Sequence, residues 1–74
     1  MNMPVATMDA TELRQKRAEK LTAAGKILEK ARAEGRALTA EETQSYDVLR
    51  DEAKALKATI DRLEEQEKLD EEMR

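Results

Sequence analysis

The chain lacks two residue types that dominate enzyme and metal sites, since its 74 residues include no cysteine and no histidine. Without cysteine, neither a disulfide nor a thiolate metal site can form. Histidine is the commonest general base and metal ligand, so its absence removes the usual centre of a catalytic site. The many carboxylates form no calcium-loop pattern, and we expect them to be solvated. The composition predicts no enzyme, no cofactor or metal, and no small-molecule substrate.

Aromatic residues and chain breakers are also scarce. Tyr46 is the sole aromatic residue, and the chain has two glycines and one proline. A sheet protein needs more β-branched and aromatic residues and more turn residues. Ala, Glu, Lys, Leu and Arg instead supply 46 of the 74 residues. That bias is typical of long helices and coiled coils, so we predict an all-α fold.

Membrane and nucleic-acid partners are not expected either. Residues 1–8 have neither the basic start nor the apolar centre of a signal peptide, and we expect a disordered tail there. No apolar run approaches the roughly 20 residues of a membrane span. The basic cluster of residues 14–20 is accompanied by Glu12 and Glu19 and has no aromatic neighbour for base stacking. The sequence therefore favours a soluble, intracellular protein.

Helix boundary signals divide the rest of the chain in two. Asp9 and Glu12 have the spacing of a capping box, as do Thr39 and Glu42. Gly35 is suited to the left-handed conformation that ends a helix. The connection between the two helices, from Gly35 to Leu38, is short. A connection of this length usually makes consecutive helices antiparallel neighbours. We predict one domain over residues 9–74, an antiparallel two-helix hairpin with helices at 10–34 and 40–70 and a turn at 35–39.

The second helix carries a heptad stripe, with apolar residues at alternating intervals of three and four. Its members are Tyr46, Leu49, Ala53, Leu56, Ile60 and Leu63. The apolar positions of the first helix are Leu13, Leu21, Ala24, Ile27, Leu28 and Ala31. The stripe and three residues of the first helix, Leu21, Ala24 and Leu28, form the predicted protein-interaction surface.

These few large apolar side chains are not expected to offset the entropy cost of ordering the chain, so we expect self-association through coiled-coil contacts. The oligomeric order stays open, as does the choice between a closed hairpin and extended, partner-swapped helices. Residues 1–36 carry a net charge of +3 and residues 37–74 a net charge of −6, which favours pairing of the two halves. Gly25, inside the first helix, is either a tolerated defect or the point where a partner helix crosses closely.

The turn and the second helix together resemble a known pattern. Its letters are GRALTAEE at residues 35–42, followed by Tyr46, Asp47, Leu49, Glu52, Leu56, Ile60, Leu63 and Glu64. With the basic helix before it, this order resembles the N-terminal scaffolding segment, or delta domain, of tailed-phage major capsid proteins with the Hong Kong phage fold. The likeness covers about residues 9–69. Each part is generic coiled-coil sequence, and the order and the turn make it moderately specific.

The resemblance implies a scaffolding role, with the segment helping capsomers and procapsids to assemble inside the forming shell. It implies self-association, capsid shell domains as partners if the chain is longer, and a maturation protease as a further partner. The location would be the host cytoplasm and the procapsid interior. No catalytic residues and no cleavage position come with it. Two other hypotheses stay open: a coiled-coil adaptor or regulator with no viral role, and an accessory subunit of an enzyme.

Overall fold

Two helices form the fold of this chain. The computed structural model describes residues 9–74, and the predicted tail at residues 1–8 lies outside the described residues. Helix α1 spans Ala10–Ala33 and helix α2 spans Ala40–Glu72. The predicted ends at residues 34 and 70 differ from these by one and two residues, within the usual uncertainty of helix ends. The all-α hairpin predicted from the sequence is confirmed.

The helix starts follow the predicted capping chemistry. The Asp9 carboxylate accepts a hydrogen bond of 2.8 Å from the backbone N–H of Glu12. At α2, the hydroxyl of Thr39 accepts from the N–H of Glu42 at 3.1 Å, and the Glu42 carboxylate accepts from the N–H of Thr39 at 3.0 Å. These bonds satisfy N–H groups that have no partner within a helix. The capping box predicted at α2 is therefore complete, whereas at α1 only the half in which the Asp9 side chain accepts a bond is present.

The turn between the helices is a Schellman motif. Gly35 has a φ of 63°, the left-handed conformation that glycine adopts without steric cost. Its N–H donates to the carbonyl of Arg32 at 3.1 Å, and the N–H of Arg36 donates to the carbonyl of Ala31 at 3.0 Å. This pair of bonds ends α1 and turns the chain back toward it. The structure is therefore a closed hairpin rather than an extended rod.

The two helices pack against each other along a seam with heptad spacing. The fully buried residues among 9–74 are Leu13, Ala24, Ala31, Ala53 and Ile60. On α1, Arg17 and Lys20 lie between the buried residues Leu13 and Ala24 and continue the heptad spacing. Both are half-buried. Their aliphatic stems cover apolar surface while their charged ends stay in water. Three of the five buried residues are alanines, so the core of the hairpin is small.

Two ion pairs across the seam show the relative direction of the two helices. Arg14 near the start of α1 contacts Glu64 at 2.7 Å, and Lys20 contacts Glu52 at 3.4 Å. As the residue number rises on α1, it falls on α2, so the helices are antiparallel. Each pair joins a base of the positive half to an acid of the negative half, as the charge asymmetry predicted. Three of the four side chains are exposed and Lys20 is half-buried, so each pair adds little stability, about 0–1 kcal/mol.

Candidate protein-interaction surface

The predicted interaction residues of α2 lie on the seam of the hairpin. Ala53 and Ile60 are buried, whereas the other four, Tyr46, Leu49, Leu56 and Leu63, are half-buried. The neighbouring helix that this stripe requires is therefore α1 of the same chain. The side chains that remain half-buried form the edges of the seam, where apolar surface stays accessible.

The predicted residues of α1 divide between two faces. Ala24 is buried in the seam, but Leu21 is 42% exposed and Leu28 is 43% exposed. Each leucine directly follows a half-buried seam residue, Lys20 or Ile27. One residue further along a helix is a rotation of about 100°, which carries both leucines out of the contact with α2. The single apolar stripe expected on α1 is thus two stripes.

We call the second of these the outer stripe, formed by Ala18, Leu21, Gly25 and Leu28. All four residues are exposed, and their intervals of three, four and three match one face of a helix. Sequence reasoning missed the outer stripe because Arg17 and Lys20 were not counted as seam residues. A heptad frame with residues 13, 17, 20, 24, 27 and 31 on the seam would have separated it.

Gly25 lies in the middle of the outer stripe. A Cβ atom placed on Gly25 would have no other atom within 4 Å, apart from the helix's own backbone and its chain neighbours. Helix α2 therefore does not approach α1 closely at this position. Glycine inside a helix is less favourable than alanine by about 1 kcal/mol. Packing within the hairpin gives no reason for a glycine here.

The most extensive polar arrangement is at the turn and is structural. The Arg36 guanidinium donates to both carboxylate oxygens of Glu42, at 2.7 and 3.1 Å, and contacts Glu34 at 3.2 Å. The hydrogen bonds from Arg36, with a further bond from the backbone of Thr39, lower the pKa of Glu42 to about 2. The same carboxylates raise the pKa of Arg36. This cluster fixes the turn to the first turn of α2.

Tyr46, the single aromatic residue, is half-buried at the end of the seam near the turn. The guanidinium carbon of Arg50 lies 6.0 Å from the centre of its ring, at the outer limit of a cation–π contact. Arg50 also lies 3.6 Å from the carboxylate of Asp47. Tyr46 therefore packs as a seam residue with a charged neighbour.

Residues 9–74 show no features of a metal site or of a membrane-spanning segment. Within that range, no group of three acidic, histidine or cysteine side chains is placed to hold a metal ion. The surface of these residues has shallow grooves between side chains. One of about 370 Å³ is lined by Lys16, Lys20, Glu52, Ala55, Leu56 and Thr59. Neither α1 nor α2 has an apolar stretch long enough to cross a membrane.

Comparison with known proteins adds no relative. No protein-family model, no curated protein sequence and no solved structure matches this chain. The function of this chain must therefore be inferred from the surface of the hairpin and from the resemblance of its turn and second helix.

Proposed function

We propose that this chain is an assembly module, a helical hairpin that associates with further copies of itself and guides capsid assembly as a phage delta domain does. The observation that carries the proposal is the mismatch between a small core and a large exposed apolar surface. Three of the five fully buried residues are alanines, while five large apolar side chains are between 42% and 84% exposed. Two of them, Leu21 and Leu28, lie on the same face of α1.

Association with a second copy can cover apolar surface that the hairpin alone leaves in water. Covering apolar area removes it from water and contributes about 25 cal/mol for each Å². Most helical stability in proteins comes from packing of an apolar face rather than from the isolated helix. A second hairpin supplies a face of matching length and composition. Self-association therefore stabilises the hairpin and links capsid subunits in one step.

The turn supports the capsid part of the proposal. The residues that carry the resemblance, 35–42, are those that build the Schellman motif, the capping box and the Arg36–Glu42 pair. In this chain they therefore have a physical task, which is to hold two helices as one hairpin. A hairpin held in this way presents its exposed faces in a fixed relation, as an assembly module requires.

Co-expression with capsid shell protein tests the proposal. The chain is expressed with the shell protein encoded in the same genome, either fused to it or separately, and the products are examined by electron microscopy. We expect closed procapsid-like shells when the hairpin is present and aggregates or free capsomers when it is deleted. Shells that form equally well without the hairpin would contradict the scaffolding role. So would a genome neighbourhood without portal, protease or shell genes, which would favour the adaptor hypothesis.

A further inference from the structure

The outer stripe of α1 is an apolar face that the hairpin leaves uncovered. Leu21 and Leu28 keep 42% and 43% of their surface in water, and Ala18 and Gly25 are also exposed. The stripe lies about 100° around α1 from the seam. Because of this angle, α1 can contact α2 on one side and another helix on the other side at the same time.

The order of residue sizes along the outer stripe makes it complementary to itself. Small and large side chains alternate, with Ala18 and Gly25 each followed three residues later by a leucine. In an antiparallel pair of α1 helices with a two-fold axis beside Ala23, Leu21 lies opposite Gly25 of the second copy. Leu28 then lies opposite Ala18 of the second copy. Each leucine meets a small residue, so the helices can approach closely.

A parallel pair lacks this fit. Leu21 would face Leu21 and Gly25 would face Gly25, so crowded layers would alternate with empty ones. Voids forfeit contacts, and cores of natural proteins contain few of them. The open space around Gly25 is therefore a recess that fits a leucine from an antiparallel neighbour. It also gives a reason for a glycine that packing within the hairpin does not require.

The charges beside the outer stripe favour the same arrangement. With the same axis, Glu19 lies near Lys26 of the second copy, and Gln15 lies near Glu29. The first pair joins opposite charges, and the second joins an amide donor to a carboxylate. An antiparallel pair of helices therefore brings complementary groups together on this flank.

The two arginines at the ends of the stripe face each other across the axis, and each has a carboxylate of its own. Arg14 contacts Glu64 at 2.7 Å. Arg32 donates to both oxygens of Glu29, at 2.9 and 3.1 Å. When the two arginines approach each other in a dimer, the positive charge of each is therefore offset by a carboxylate of its own chain.

From these observations we propose that two copies of the chain associate through the outer stripe, with their α1 helices antiparallel and Leu21 of each copy packed on Gly25 of the other. The inference rests on the proposed function, because it names the surface through which the assembly module meets its partner. Such an interface uses the same patch on both subunits, as two-fold symmetric dimers do.

Substitution of the two leucines tests the surface. The double variant L21Q/L28Q removes four leucines from each dimer, and we expect self-association to weaken by at least about tenfold. Helix content should be preserved, because neither side chain is buried in the seam with α2. The control is L69Q, which changes a leucine that is 45% exposed on α2. We expect L69Q to associate as the unchanged chain does.

Spin labels on single cysteines test the direction of the helices, since the chain has no cysteine of its own. Labels at Thr22 lie close to the two-fold axis, so their distance across the dimer should be short. Labels at Gln15 are offset by about 24 Å along the helices, so their distance should be longer. Equal distances at the two positions would indicate parallel helices and would overturn the proposal.

The outcomes separate the two proposals. A chain that stays monomeric at millimolar concentration overturns both the assembly function and this interface. A chain that self-associates equally well as L21Q/L28Q overturns this interface alone, because association must then use another face. A dimer that is lost in L21Q/L28Q, retained in L69Q, and closer at Thr22 than at Gln15 supports the interface.

Discussion

The two glycines of this chain should respond to alanine with opposite signs. Apart from the chain neighbours and the backbone of the same helix, neither position has an atom within 4 Å of an added Cβ, so steric contact with the rest of the hairpin does not distinguish them. The difference is in the backbone, since Gly35 has a φ of 63° and Gly25 has ordinary helical geometry within α1. The comparison therefore isolates backbone conformation from packing.

The magnitudes follow from the cost of each conformation. An L-residue in the left-handed region costs roughly 1–2 kcal/mol, so G35A should destabilise the hairpin by about that amount. Alanine in a helix interior is better than glycine by about 0.5–1 kcal/mol, so G25A should stabilise it. For a domain of this size, 1 kcal/mol shifts the melting temperature by about 4–8 °C.

The assay is thermal and urea unfolding followed by circular dichroism at 222 nm. It is run at low micromolar concentration, because self-association would add stability that depends on concentration. The double variant G25A/G35A is the control for independence, and its change should be the sum of the single changes. The same sign for both single variants would refute the reasoning, and so would a neutral G35A.

Three further predictions concern the α2 cap, the turn and the core. T39A removes the hydroxyl that caps α2 and should cost about 1 kcal/mol in urea unfolding. The pKa of Glu42 is lowered to about 2, below its ordinary 4.5, so Glu42 contributes stability above pH 4.5 that is lost as the pH falls toward 2. Unfolding of E42Q between pH 2 and 5 should show less of this acid dependence than the unchanged chain. I60A removes a buried side chain and should cost about 2–5 kcal/mol, whereas L69A should change stability by less than about 0.5 kcal/mol.

Each of these predictions has its own contradicting result. Unchanged stability in T39A, with α2 still starting at the same residue by NMR, would mean that the cap is dispensable. If E42Q and the unchanged chain lose stability in parallel below pH 4.5, other carboxylates control the acid response. Equal losses in I60A and L69A would place the core elsewhere.

Much of the fold could be predicted from residues with local physical roles. Thr39, Glu42 and Gly35 act within a few residues of the chain, so their effect on helix ends can be read without knowledge of the tertiary structure. The α2 stripe has clean heptad spacing, which predicts that a neighbouring helix covers it, and α1 is that helix. The opposite charges of the two halves also indicated the cross-helix pairs, of which Arg14–Glu64 is the closest.

The face of α1 was the part that sequence reasoning did not resolve. Arg17 and Lys20 are charged, so a count of apolar residues leaves a gap where the seam continues. The stems of such residues can cover apolar surface, but a count of apolar residues does not assign them to the seam. The gap led to Leu21 and Leu28 being placed on the same stripe as Ala24. The structure separates them, and that separation defines the outer stripe.

Sedimentation equilibrium of the unchanged chain tests the central claim most directly. The chain has a mass of 8.4 kDa, and the measurement covers micromolar to millimolar concentration. We expect the mean mass to rise with concentration to at least twice that of the chain, while L21Q/L28Q stays near the mass of the monomer. A mean mass that remains at 8.4 kDa for the unchanged chain over the whole range would contradict the account.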